Sequence, residues 1–71
     1  MWLLLWYWYD SGKSRTEWAR YDTLADATVE YAKRIKEFDF VELKDTTRSE
    51  LDGSPFLVKC FERGSERRVN L

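Results

Sequence analysis

The first ten residues, MWLLLWYWYD, constrain the fold more than anything after them. Eight consecutive positions, Trp2 to Tyr9, are apolar or aromatic, and the first charge is Asp10. A membrane-spanning helix needs about 20 apolar residues, so this run is too short to cross a bilayer. No Lys or Arg precedes it and no small-residue cleavage pattern follows, which argues against a signal peptide. Trp and Tyr favour strands and tolerate wet interfaces. The stretch therefore reads as a β-strand, and one apolar on both faces belongs in the middle of a sheet.

The remaining 61 positions decide what surrounds that strand. Seventy-one residues make one domain, spanning 1–71. A chain of this size buries roughly 60% of its surface on folding, so its core is small. The single cysteine, Cys60, rules out an intramolecular disulfide and fits a reducing, cytoplasmic setting. Net charge is −1, but the charges are uneven. Glu37 to Asp52 holds six acids against two bases, and Lys59 to Leu71 holds four bases against two acids. The basic excess of a duplex-DNA binder is missing.

After the first strand, DSGKS is a cluster of turn residues, and RTEWARYD continues as a second strand. These are expected to form a hairpin, strands 2–9 and 15–21. In TLADATVEYAKRIKEF, Thr23 is a natural N-cap, with Asp26 placed as in a capping box. Leu24, Ala27, Thr28, Tyr31, Ile35 and Phe38 recur at helical spacing, which predicts an amphipathic helix over about 24–37. Glu30 and Arg34 are spaced as a favourable i,i+4 pair. FDFVELKD and PFLVKCFER follow as strands around the polar loop TTRSELDGSP, and residues 66–70 suggest a fifth. The expected fold is α+β: an antiparallel sheet of four or five strands with one helix on one face, order β-β-α-β-β(-β). A right-handed return through the helix gives the sheet order 2-1-3-4 and makes the first strand central.

Strand alternation then sorts the side chains. A hairpin turning at Gly12-Lys13 would pair Asp10 with Arg15, Trp8 with Glu17, Tyr7 with Trp18, Trp6 with Ala19 and Leu5 with Arg20. Leu4, Trp6, Trp8, Ala19, Tyr21, Val41, Leu43, Phe56, Val58 and Cys60 are expected beneath the helix. Leu5, Tyr7, Tyr9, Trp18, Arg20, Phe40, Glu42, Lys44, Leu57, Lys59, Phe61 and Arg63 are expected on a face with no second layer. Within that set Tyr7, Tyr9, Trp18, Arg20, Phe40, Lys44, Lys59, Phe61 and Arg63 are the candidate partner-binding residues. Exposed aromatic patches mark contact sites, and Tyr, Trp and Arg are enriched in binding hot spots. The plainer reading is a solvated sheet whose Lys and Arg stems lie over the aromatics.

Catalytic chemistry is not suggested. Gly12-Lys13-Ser14 copies the tail of a phosphate-binding loop, but the required upstream glycine position is Tyr7. Cys60 has no His to activate it, because the chain contains none. Glu42, Asp45, Glu50 and Asp52 lack the spacing of a calcium loop. No cofactor, metal or membrane partner is expected, and no enzymatic activity.

In size, in element order and in the strand-to-helix junction YDTLADA, the chain resembles small orphan β-β-α-β-β proteins of phages and mobile elements. That class includes anti-CRISPR and anti-restriction inhibitors. The resemblance implies a non-catalytic module that blocks a host complex by occupying a protein or nucleic-acid site; it assigns no residue. The hairpin also looks like the three-stranded DNA-binding modules of phage integrases, without their basic excess. The aromatic-basic face fits a protein partner first and a single-stranded nucleic acid second, through base stacking. Self-association, as a symmetric homodimer through the same face, is a third expectation.

Overall fold

The computed structural model describes residues 1–68, with side chains through Arg67. Five strands and one helix follow in the order β1 (Trp2–Asp10), β2 (Lys13–Tyr21), α1 (Leu24–Arg34), β3 (Phe40–Ser49), β4 (Pro55–Glu62) and β5 (Ser65–Arg68). All strand pairs are antiparallel, and the sheet order is β2-β1-β3-β4-β5. The α+β class and the central place of the first strand are as the sequence predicts. The part of the expected fifth strand beyond Arg68 lies outside the described residues.

β1 and β2 are joined by a tighter turn than expected. Ser11 (φ 52°) and Gly12 (φ 80°) form it alone, with both central residues at positive φ. This is the primed geometry whose twist matches that of the flanking strands. Asp10 therefore pairs with Lys13 rather than Arg15, and every later partner moves by two residues: Trp8 meets Arg15, Trp6 meets Glu17 and Leu5 meets Trp18. A shift of two leaves each side chain on its face. Trp2, Leu4, Trp6 and Trp8 point to the helix as expected, and Leu3, Leu5, Tyr7 and Tyr9 point away.

α1 starts where Thr23 caps it. Thr23 is extended (φ −122°, ψ 151°), and its hydroxyl accepts the Asp26 N–H at 3.1 Å. The helix ends at Arg34, earlier than the periodicity predicts. The Glu37 N–H turns back to the Arg34 carbonyl at 3.0 Å, three residues away, and Phe38 N–H reaches the same carbonyl at 2.9 Å. This tightening satisfies the terminal carbonyls and drops Phe38 onto Trp8 and Trp6, at 5.3 and 6.3 Å between ring centres. Ala27 and Tyr31 are the fully buried helix residues, with Ile35 and Phe38 packed at the edge of the core. They meet Leu4, Trp6, Val41, Leu43 and Val58. The expected Glu30–Arg34 pair does not form. Glu30 bonds Lys33 at 3.4 Å, while the Arg34 guanidinium lies 4.1 Å from the centre of the Trp6 ring.

β3 and β4 are less regular. Leu43 pairs with Lys59 and the next residue, Lys44, with Leu57, so Val58 is an extra residue: a β-bulge. A second irregularity separates Asp45–Phe56 from Ser49–Pro55. It is organised by Asp45, which is 6% exposed. One oxygen of its carboxylate accepts the Thr47 N–H (2.9 Å) and hydroxyl (2.6 Å), and the other accepts the Arg48 Nε–H (3.0 Å). Burying a carboxylate is costly unless it is hydrogen-bonded, and here it is.

Candidate protein-contact face

Opposite the helix, the sheet has no second layer among the described residues. β1 contributes Leu3, Leu5, Tyr7 and Tyr9 to this open face, β2 contributes Thr16, Trp18 and Arg20, and β3 contributes Phe40, Glu42 and Lys44. Tyr7 and Phe40 are directly paired and stack nearly flat, 4.8 Å between ring centres and 8° between planes. Tyr9 meets Phe40 edge-on at 6.2 Å. Trp18 (60% exposed) and Tyr9 (66%) stand out into solvent at the β2 and turn ends of the face. The Arg20 guanidinium lies 5.5 Å from the centre of the Trp18 ring.

Six of the nine expected residues thus share this face: Tyr7, Tyr9, Trp18, Arg20, Phe40 and Lys44. Arg63 joins them from the β4–β5 turn, its guanidinium 5.9 Å from the Phe40 ring centre. Its φ of 48° is unusual for a residue with a long side chain, and its N–H is held by the Asp39 carbonyl at 2.8 Å.

Lys59 and Phe61 do not belong there. The Val58 bulge resets alternation along β4, so residues after it exchange faces. Lys59 pairs with Leu43 and Phe61 with Val41, both on the helix side. The Lys59 ammonium sits 4.4 Å from the centre of the Tyr31 ring, and Phe61 packs against the core. Cys60 makes the opposite exchange. Expected beneath the helix, it pairs with Glu42 on the open face, yet neighbours leave it only 5% exposed. Burial, then the carboxylates of Glu62 and Glu42, pushes its thiol pKa up, so it is held protonated and unreactive.

The same resetting brings in residues that alternation alone misses. Glu62 pairs with Phe40, and Arg67 pairs with Cys60. The face therefore carries Glu42 and Glu62 close to the stacked aromatics, with Arg20, Lys44, Arg63 and Arg67 around them. Burial first, then Glu42 and Glu62, raises the Tyr7 phenol pKa, which keeps its hydroxyl neutral and able to donate a hydrogen bond. Among the described residues no pocket opens and no cluster of three or more His, Cys, Asp or Glu could hold a metal. No helix there is long and apolar enough to cross a membrane.

Comparison with known protein families, with curated proteins and with solved structures finds no match to this chain.

Proposed function

We propose that this protein is a small non-catalytic binding module whose open sheet face docks on a protein partner, as an inhibitor that occupies its target's surface. The observation that carries this reading is the Tyr7–Phe40 stack, flanked by exposed Tyr9 and Trp18. Rigid aromatics on a sheet offer contact area at little entropic cost, and their polar atoms tolerate water before binding. The absence of a pocket among the described residues suits a macromolecular contact better than a small ligand. The inhibitory role follows the resemblance to phage-type inhibitors in size, element order and the YDTLADA junction.

The charges favour protein over nucleic acid. A stacking platform for single strands needs a cationic track for phosphates. Glu42 and Glu62 interrupt that track beside the stack, while Lys59 and Phe61 are turned to the other face. Mixed charge around an aromatic centre matches a protein partner's own mixed surface.

The test compares affinity capture by the parent and by the Tyr9→Ala/Trp18→Ala double variant, followed by measured affinity for the protein recovered. Loss of about 2 kcal/mol or more with the thermal midpoint retained is expected of hot-spot residues. Capture unaffected by the double variant sinks the open-face reading. Salt-sensitive binding of an oligothymidine by the parent, lost in the same variant, would replace it with the nucleic-acid reading.

A further inference from the structure

The sheet ends on one side at β2, and its outer edge has no partner among the described residues. Exposed edges are normally blunted by shortness, proline, a bulge or charged side chains. Of these β2 has only the charges, Lys13, Arg15, Glu17 and Arg20. It is nine residues long, contains no proline and pairs with β1 without interruption. Its hydrogen-bonding direction follows from the turn. Asp10 and Lys13 flank the two-residue Ser11-Gly12 turn and form its bonded pair. Alternation then directs the backbone groups of Arg15, Glu17 and Ala19 inward, and those of Ser14, Thr16, Trp18 and Arg20 outward.

We propose that β2 pairs antiparallel with β2 of a second copy of this chain, about a twofold axis through Thr16. Charge complementarity favours this register over its neighbours. A twofold axis perpendicular to the sheet requires paired residues to share a face, so the axis passes through a residue. Centred on Thr16, Arg15 of each copy faces Glu17 of the other, giving two symmetric opposite-charge pairs, and Thr16 meets its own equivalent. Centred on Arg15, Lys13 faces Glu17 of the other copy but the two Arg15 side chains meet on the axis, and centred on Glu17 two carboxylates meet there. Centred on Ser14, Lys13 meets Arg15. Centred on Trp18, no opposite charges meet.

Arg15 and Glu17 are exposed and free to make these contacts. Arg15 has only a loose partner in its own chain, Asp10 at 3.7 Å with both side chains 56% exposed. Such a pair holds Arg15 weakly. In the dimer each Trp18 lies beside Ser14 of the partner copy. The two sheets become one, and the two open faces lie side by side as a surface of double width. An edge-strand contact is small, so the dimer is weak and depends on concentration.

Sedimentation velocity over a series from micromolar to millimolar protein tests this directly and needs no other partner. The parent is expected to move from 8.6 kDa toward twice that mass. Arg15→Glu and Glu17→Arg, each turning two attractions into two repulsions, are expected to weaken dimerisation about tenfold or more. The combined swap Arg15→Glu/Glu17→Arg restores the pairs and the dimer. Thr16→Pro removes an outward N–H and is expected to abolish the dimer while circular dichroism shows the fold retained. A parent that stays monomeric throughout the series overturns the proposal. So does a dimer that ignores the single reversals, or one that the double swap fails to restore.

Discussion

The β1–β2 and β3–β4 hairpins are both antiparallel, yet they treat alternation differently. β1 and β2 stay in step from Asp10–Lys13 to Trp2–Tyr21. An error of two in the assumed register moves every partner and changes no face. β3 and β4 slip at Val58, and again beyond Asp45. There a correct list of apolar residues still sends Lys59, Cys60 and Phe61 to the wrong sides. Face assignment is thus robust to errors in turn length of two and fragile to a single extra residue. The regular hairpin supplies Leu4 and Trp6 to the core and builds most of the open face, while the bulged one supplies Val41, Leu43 and Val58 to the core. The bulged one also sets which charges stand beside the open face.

Deleting one residue from each hairpin should separate them most sharply. Without Leu5, one part of β1 changes faces, carrying either Leu4 or Trp6 and Trp8 out of the core. That loss exceeds the few kcal/mol by which so small a domain is stable, so the variant should show no cooperative melt. Without Val58, Leu57 and Lys59 become neighbours already opposite Lys44 and Leu43. The cost is one buried valine, about 1.5–3 kcal/mol, with a cooperative transition retained. Two equally damaging deletions would mean that Val58 is not a bulge.

Phe61→Ala asks the next question. On the helix side and half-buried, Phe61 should contribute about half of the ~3–5 kcal/mol typical of a fully buried phenylalanine, read from chemical denaturation. A change near zero would return Phe61 to the open face.

Asp45 gives a pH signature to the second irregularity of β3. The Thr47 hydroxyl, then its N–H, and the Arg48 guanidinium hold the Asp45 pKa below its ordinary 3.8. A carboxyl lowered in the folded state stabilises above its unfolded value, and that contribution disappears as pH falls through the folded one. Urea midpoints should therefore hold steady above about pH 5 and drop below about pH 4. Asp45→Asn should be less stable at neutral pH and show a shallower acid decline. An unchanged slope would mean other carboxyls govern it.

The smallest effect is expected on the regular hairpin's exposed side. Trp18→Ala removes a residue 60% exposed, so stability should change by no more than about 0.5 kcal/mol. A larger loss would mean that Trp18 is needed by the monomer, and would weaken its assignment to a contact surface.

Much of this architecture was legible in the chain because the signals are local. The eight-residue aromatic run admits a central strand, Thr23 marks the helix start, and Ala27, Tyr31, Ile35 and Phe38 repeat at helical spacing. Alternation correctly grouped Tyr7, Tyr9, Trp18, Arg20, Phe40 and Lys44, since strands without an extra residue preserve parity. Helix length was less legible: the apolar repeat runs on to Phe38, but the chain turns after Arg34 to lay Phe38 on Trp6 and Trp8.

Only the tertiary structure decided the sides of Lys59, Cys60 and Phe61. PFLVKCFE alternates well enough as an unbroken strand, and nothing local marks Val58 as the extra residue. The bulge arises because β4 must match β3 on both sides of Lys44. Placing Phe56, Val58 and Phe61 together under the helix layer requires one residue outside the ladder. Arg34 shows the same dependence. Its spacing from Glu30 offers a surface ion pair, but the sheet presents the Trp6 ring, and a guanidinium lying over that indole gains a contact that helical spacing cannot reveal.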